Sequence, residues 1–482
     1  MAIKPPIRMS FPKTILLVLF LLGITSSINL YSQGNYKLEN FGNKSILLNG
    51  NVTGSVSDLG LTYYNPSRLA LVENAVFTIN AKSYQLRTVT LTDAFGENEK
   101  LRNSEFNGIP SMVAGTFKVD FLENHKFAYS FISRYRTSVD LDYQTPRIEE
   151  DIFEEFEGDE SFIGRVKLNN DQKEEWYGVT WAYAFSEKLS VGISGFFSTY
   201  KYSGSNELDY VALHSEDQTA SYSSEISFNQ ESMGLYWKAG ISYITSKKIE
   251  LGLNINLPYW EIYEDGSFNY IEVFAGSSDE DIFTINELTS LKTKRIEPLS
   301  IAIGAGIPVG RNKLHLNVEW YNSSKLYARI RIPELDSDTE IPPELKFEEK
   351  LKAVVNFGLG AELYFSPKFK GYLSFSTDYS AFDTNANLFD LINQAGKDIN
   401  FASNYFHYGG GIDLSMSWAE LILGCTFSHS QSEFAQPVNF PTDGIDDTEG
   451  GITEIEFSRW RFIIGIEIPI LDKGLKKLKG ED

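Results

Sequence analysis

From Lys126 to Gln144 the chain alternates for nineteen residues without a break. The odd positions are Phe127, Tyr129, Phe131, Ser133, Tyr135, Thr137, Val139, Leu141 and Tyr143. The even positions include Lys126, Ser130, Arg134, Arg136, Asp140, Asp142 and Gln144. Successive side chains of a β-strand leave opposite faces, so this run predicts one aromatic, apolar face and one polar face. Strands of soluble sheets are usually about 5–6 residues long. A strand tilted across a bilayer needs roughly 9–11 residues, facing lipid and lumen in turn. The run therefore points to a membrane β-barrel, and a long soluble hairpin explains the rest of the chain poorly.

About fourteen alternating runs follow one another. They lie near 75–86, 111–121, 126–144, 175–185, 189–202, 221–244, 249–257, 299–308, 313–321, 353–365, 371–379, 404–415, 419–429 and 455–470. The connections alternate in length. Short turns are expected at Leu122–His125, Ser186–Lys188, Thr245–Lys248, Gly310–Asn312, Ser366–Lys370 and Met416–Trp418. Long loops are expected at 87–110, 145–174, 203–220, 258–298, 322–352, 380–403 and 430–454. Short turns on one side and long loops on the other are the layout of an outer-membrane barrel, with short turns in the periplasm. An even strand number then places both termini on the periplasmic side. The predicted fold is all-β: a 14-stranded antiparallel transmembrane barrel with an N-terminal plug.

The ends agree with export. Lys4, Arg8 and Lys13 precede the apolar run Ile15 to Ile24, and small residues lead to a cut ahead of Gln33, so 1–32 reads as a signal peptide. That apolar run is too short for a membrane helix, which needs about 20 residues. Its removal takes the formal charge from −22 to about −25, which argues against nucleic-acid partners. The 34 Phe, 26 Tyr and 7 Trp suit aromatic girdles at two membrane interfaces. Cys425 has no partner for a disulfide and reads as packing. Residues 471–482 form a charged tail, expected in the periplasm.

Between the cut and the first strand, residues 33–74 lack strong alternation and are rich in Gly, Asn and Ser. Sixteen to eighteen strands leave an aqueous channel whereas eight are filled by their own side chains. Fourteen would leak without a filling, and this segment is the economical plug.

The stretch Ser57-Asp58-Leu59-Gly60-Leu61-Thr62-Tyr63-Tyr64-Asn65-Pro66-Ser67-Arg68-Leu69-Ala70-Leu71 resembles the plug signature of the FadL/OmpP1/TodX family of outer-membrane transport proteins. Leu235–Tyr243 with Ile249–Leu253, and Glu297–Gly304 with Leu314–Trp320, look like hairpins of the same family. The resemblance implies a fourteen-stranded barrel with an N-terminal hatch that moves long-chain fatty acids or hydrocarbon-like molecules. By that resemblance Tyr64, Asn65, Pro66 and Ser67 form the plug motif, with Asn65 and Pro66 at the bend. Ser67 stands where the family has Ala. The family's third strand is kinked to open a lateral window, whereas Lys126–Gln144 holds no Gly or Pro. Ile468 and Ile470 replace the usual terminal aromatic.

If the aromatic rows face lipid, Arg134, Arg136, Lys238, Arg459 and Arg461 point inward. They are candidate partners for a ligand carboxylate, or else partners of Asp and Glu on neighbouring strands or the plug. Acidic clusters at Glu149–Glu160 and Glu334–Glu340 read as solvated loop faces, or as cation bridges to lipopolysaccharide; neither has calcium-site spacing. Ile152, Phe153 and Phe156, like Leu388, Leu391 and Ile392, either line an apolar entry groove or pack loops together. The histidines His125, His214, His315, His407 and His429 form no i, i+4 metal pair. Ser428-His429-Ser430 is the one local hint of a hydrolase. The expectation is a non-enzymatic protein without metal or cofactor, in contact with outer-membrane lipid. The alternative is a FadL-like barrel that no longer transports and serves as a scaffold or docking subunit of an envelope secretion or assembly complex.

Overall fold

The structure is a computed structural model that describes residues 35–72, 75–95, 99–119, 121–122, 124–150, 159–213, 219–276, 281–333, 347–381, 403–436 and 451–470. The expected signal peptide, the charged tail, most of both acidic clusters and the apolar loop residues at 152–156 and 388–392 lie outside them. Two short helices open the described chain, α1 (Lys44–Leu47) and α2 (Leu61–Tyr64), followed by a 3-10 turn at Pro66–Leu71. Then come β1 (Ala75–Thr92), β2 (Lys100–Phe117), β3 (His125–Gln144), β4 (Ile148–Glu150), β5 (Glu160–Ala184), β6 (Leu189–Leu213) and β7 (Thr219–Ile244). The middle holds β8 (Glu250–Asn256), β9 (Trp260–Ala275), β10 (Ile282–Leu288), β11 (Ser300–Val309), β12 (Asn312–Tyr321), β13 (Tyr327–Ile330) and β14 (Phe347–Glu349). The chain finishes with β15 (Val354–Ser366), β16 (Phe369–Asp378), β17 (Tyr405–Ser415), β18 (Glu420–Ala435) and β19 (Ile452–Ile470).

Fourteen of these strands form a closed antiparallel barrel, sealed by the ladder of β1 on β19 from Ala75↔Ile470 to Thr92↔Glu454. Closure leaves no edge for another chain to pair with. Tyr129, Tyr177, Val179, Ile193, Trp237, Ile241, Leu359, Trp460, Phe462 and Ile464 are all exposed on the outside, the apolar band of a barrel built to face lipid. Among the described residues no helix is long and apolar enough to cross a membrane.

Most of the expected long loops are strand. β5, β6 and β7 run together past the apolar band, paired from Ala184↔Ser190 to Ser161↔Leu213 and from Leu189↔Tyr243 to Leu213↔Thr219. Along this extension the apolar face changes sides. In the lower half of β5, Tyr177 and Val179 are exposed outside while Thr180 and Ala182 are buried within. In its upper half Phe162, Val166 and Leu168 are buried inside, and join Val139, Leu141, Leu208 and Phe457 in one core. Water replaces lipid above the membrane, so the hydrophobic effect draws apolar side chains inward there. The inversion makes the alternation fade in the sequence, which is why 145–174 and 203–220 read as loops.

On β3 the change of side is made by geometry instead. The register on β5 slips between Ser133 and Tyr135, a β-bulge whose extra residue turns every later side chain to the other face. Below it Ala128, Ser130 and Ile132 are buried; above it Val139 and Leu141 are. The aromatic stripe thus faces outward up to Phe131 and inward from Tyr135 onward. The segment expected as loop 258–298 is largely the hairpin β9–β10, with β9 paired on β7 from Ser221↔Ala275 to Leu235↔Trp260.

Residues 35–72 pack against the inner faces of the wall. Ile46, Leu47, Leu48, Val52 and Leu69 share a buried cluster with Ala128 of β3, Ala182 of β5, Tyr372 of β16 and Ile463 of β19. Wall glycines make the room. A Cβ at Gly240 would collide with Asn65, at Gly252 with Thr53, and at Gly358 with Asn51.

Candidate functional site

The motif Tyr64–Ser67 is built around one buried amide. Asn65 Nδ2 donates to Thr53 O (2.7 Å) and to Ile241 O on β7 (3.3 Å). Its Oδ1 accepts from Ser67 N (3.2 Å) and Ser67 Oγ (2.6 Å), which caps the 3-10 turn that Pro66 begins. Tyr64 OH accepts from Phe41 N and donates to Asn40 Oδ1, both at 3.0 Å. The neighbouring Arg68 reaches Glu250 at 2.7 Å, and Lys313 shares that carboxylate at 2.8 Å. Further along, Asp378 accepts from Tyr36 N and Lys37 N at 3.0 Å each. Every one of these bonds runs within the segment, between it and the wall, or between wall residues that hold it.

The five candidate cations divide. Arg459 Nη1 lies 3.1 Å from Glu39 Oε1, and Arg461 pairs with the same oxygen, so these two hold the N-terminal segment. Arg134 pairs with Glu297 at 3.0 Å and is 2% exposed. Lys238 Nζ donates to Asn256 Oδ1 at 3.0 Å and lies 3.9 Å from the Tyr63 ring centroid. Arg136, expected on the inner face, is exposed on the outer one. The bulge at Ser133–Arg134 is the reason, and Tyr135 takes the inward place instead, donating to Asn35 O at 2.5 Å.

Two of the cavities among the described residues bear on the candidate cations. The larger, about 190 Å³, is lined by Tyr36, Tyr135, Tyr200, Tyr202, Arg295 and Arg329, among others. Arg295 is clamped by Glu174 at 2.7 and 2.9 Å and lies 4.1 Å from the Tyr200 ring centroid. Arg329 donates to Gln230 at 2.7 Å and lies 4.6 Å from the Tyr202 ring centroid. Rings and guanidiniums stacked in this way present apolar surface to the cavity, and the Arg295 charge is matched by Glu174 and Glu297. Sequence reasoning missed Arg295 and Arg329 because both fall in stretches taken as outer loops. The alternation of Trp260–Ala275 is the signal that would have drawn 258–298 back into the barrel. The smaller cavity, about 20 Å³, is lined by Tyr63, Arg134, Trp176, Lys238, Asn256 and Glu297, among others. Arg134 and Lys238 therefore meet in one place, and Glu297 lines both cavities.

The serine of the hydrolase hint pairs with a different histidine. Ser428 Oγ lies 2.8 Å from Nδ1 of His407 rather than engaging His429. His407 Nε2 is 3.7 Å from Asp378, whose oxygens already hold the N-terminal backbone. All three side chains are buried, and none lines either cavity. They clasp the segment to β16, β17 and β18.

No protein-family model and no curated protein matches the chain. Solved structures do. A toluene transporter, TodX of P. putida, superposes with a TM-score of 0.53 at 9% identity, covering 90% of this chain and 99% of the other. A FadL homologue of Pseudomonas aeruginosa gives 0.56 at 8% identity, with 91% and 100% covered. The fold is that of the FadL-type channels. A third FadL-type structure, the monoaromatic hydrocarbon channel CymD, gives 0.52 at 12% identity over 90% and 99%. The likeness spans the whole barrel, so it agrees with the strand count and with the closure by β1 on β19. On the FadL-type third strand, the absence of Gly and Pro does not keep β3 regular. Its ladder to β2 runs only from Phe117↔Phe127 to Met112↔Ile132, and stops beside the bulge.

Proposed function

We propose that this protein carries hydrophobic molecules across the outer membrane, and that its residues 33–74 act as the plug of the barrel. The observation that carries the reading is a cavity lined by tyrosines and guanidiniums, set on Tyr36 and Leu38 of the N-terminal segment inside a closed, lipid-facing wall. Such a lining holds an apolar body by its rings and an acidic head by its cations. Cargo of this class matches what the similar structures are described as carrying, toluene and monoaromatic hydrocarbons. Long-chain fatty acids fit the cation-rich lining better than neutral hydrocarbons do. In this reading both termini are periplasmic, Arg134 and Lys238 face the smaller cavity, Arg459 lines the larger one while also holding Glu39, and Arg461 serves the plug through Glu39.

A second reading is a non-transporting barrel that acts as a docking subunit of an envelope secretion or assembly complex. One observation favours it: about 190 Å³ falls below the roughly 300–1,000 Å³ typical of small-molecule pockets. Uptake of a long-chain alkyl carboxylate into liposomes containing the full-length protein separates the two. The transport reading expects saturable uptake well above protein-free liposomes. Uptake equal to that background would contradict it.

A further inference from the structure

At the short-turn end of the barrel, two neighbouring hairpin turns are pinned by their own side chains. In the turn from β5 to β6, Ser186 Oγ accepts from the N–H groups of Lys188 and Leu189, both at 3.2 Å. In the turn from β7 to β8, Thr245 Oγ1 accepts from Ile249 N at 3.0 Å and Thr245 O from Lys248 N at 2.9 Å. Serine and threonine close tight turns in this way. Ile244 N donates to Lys188 O at 2.8 Å, which ties the two turns together. Lys248 holds a left-handed φ of 62°. That region favours Gly and Asn, so backbone preference does not account for a lysine there.

Lys188, Lys247 and Lys248 are all exposed on these tips, and none of them has an ion pair among the described residues. Other lysines of this rim differ: Lys313 is matched by Glu250 and Lys370 by Glu362, each at 2.8 Å. The next two turns around the wall carry Arg311 and Lys368, also exposed; Arg311 leans on the Tyr364 ring, 5.4 Å from its centroid. On the opposite side of the barrel the turn Met416–Ala419 holds no cation. A chain of net charge −22 thus gathers unmatched positive charge on one flank of one rim. Glu187 is the single carboxylate on those four tips.

These lysines stand at the edge of the lipid-facing band. Phe185 and Leu189 are exposed beside Lys188, and Tyr243 and Leu251 beside Lys247 and Lys248. The head-group layer is roughly 5–7 Å thick on each side of a bilayer, and a strand rises about 3.3 Å per residue. Turns this short therefore end inside that layer, where lipid phosphates lie and the carboxylates of a soluble protein do not reach. Cations clustered at a membrane edge attract anionic lipid.

We propose that this flank of the rim is a seat for an anionic phospholipid, its phosphodiester on Lys188, Lys247 and Lys248 and its acyl chains along Phe185, Leu189, Tyr243 and Leu251. A zwitterionic lipid carries its own ammonium and does not match three cations. With this rim periplasmic, as proposed above, the lipid belongs to the inner leaflet. The seat requires a membrane-embedded barrel and does not depend on transport.

The test offers the full-length protein, in a mild detergent, equal amounts of phosphatidylglycerol and phosphatidylethanolamine, and counts the lipids retained by native mass spectrometry. The wild type should keep phosphatidylglycerol at least fivefold better. The triple variant Lys188→Gln, Lys247→Gln, Lys248→Gln should lower it to the phosphatidylethanolamine level, whereas arginine at all three positions should preserve it. Lys201→Gln, higher on β6, should leave it unchanged. Equal retention of the two lipids, or an equal loss in the Lys201 variant, would overturn the seat. So would full displacement by soluble glycerophosphoglycerol, which has the phosphate without the chains. A phosphatidylglycerol with a diazirine on its acyl chain should label Phe185–Leu189 and Tyr243–Leu251 at least fivefold more than Met416–Ala419; labelling uniform around the rim would contradict the proposal. Uptake into liposomes tests transport separately: selective retention without uptake keeps the seat and removes the transport reading, and uptake without selective retention does the reverse.

Discussion

Asn65 uses its whole side-chain hydrogen-bonding capacity inside the barrel, two donors and two acceptor sites. Asn65→Ala strands Thr53 O and Ser67 N, and leaving buried polar groups unpaired costs about 1–3 kcal/mol. If the segment is the plug, the variant should leak a small hydrophilic dye from loaded liposomes faster than wild type. Unchanged leakage would remove the plug from the account. The motif Tyr64–Ser67 was singled out in the sequence by the resemblance, since only its Asn65–Ser67 bonds are local and the others reach Thr53, Asn40, Phe41 and Ile241. Glu39 was not, since its arginines lie 420 and 422 residues away and no period in the chain connects them. The resemblance marked the Asn and Pro; only the fold explains why glycines at 240 and 252 must face them.

Strands were found where outside is lipid and inside is polar, and were lost where both conditions reverse. On β6, Ile193 and Phe197 are exposed at membrane level, whereas Leu208 and Ala212 are buried above it. A pattern that inverts midway averages to none. On β3 the pattern does not invert, so nineteen unbroken alternations concealed a bulge that does the same work. This element-level difference is open to a direct check in a Cys425→Ser background. Arg136→Cys should react with a membrane-impermeant maleimide on intact cells, and Arg134→Cys should react at least tenfold more slowly. Equal rates, or the reverse order, would show that no side-switch occurs at Ser133. Proline marks the third kind of departure: Pro258 ended a strand at the expected place, but the chain resumed as β9 rather than leaving the barrel.

At the scale of the molecule, strand count, closure and the outward apolar band were all readable from alternation, because a barrel repeats one simple rule around its wall. The contents of the lumen were not, because they are assembled from side chains far apart in sequence. Those contents decide between a conduit and a closed relative. Native mass spectrometry of the full-length protein, purified in a mild detergent and offered a long-chain alkyl carboxylate, puts the question most directly. The account expects the mass of one bound amphiphile, lost in the Arg134→Gln, Lys238→Gln variant. A wild-type barrel that stays at its bare mass under the same conditions, with a second protein bound to it in fixed ratio, would contradict it.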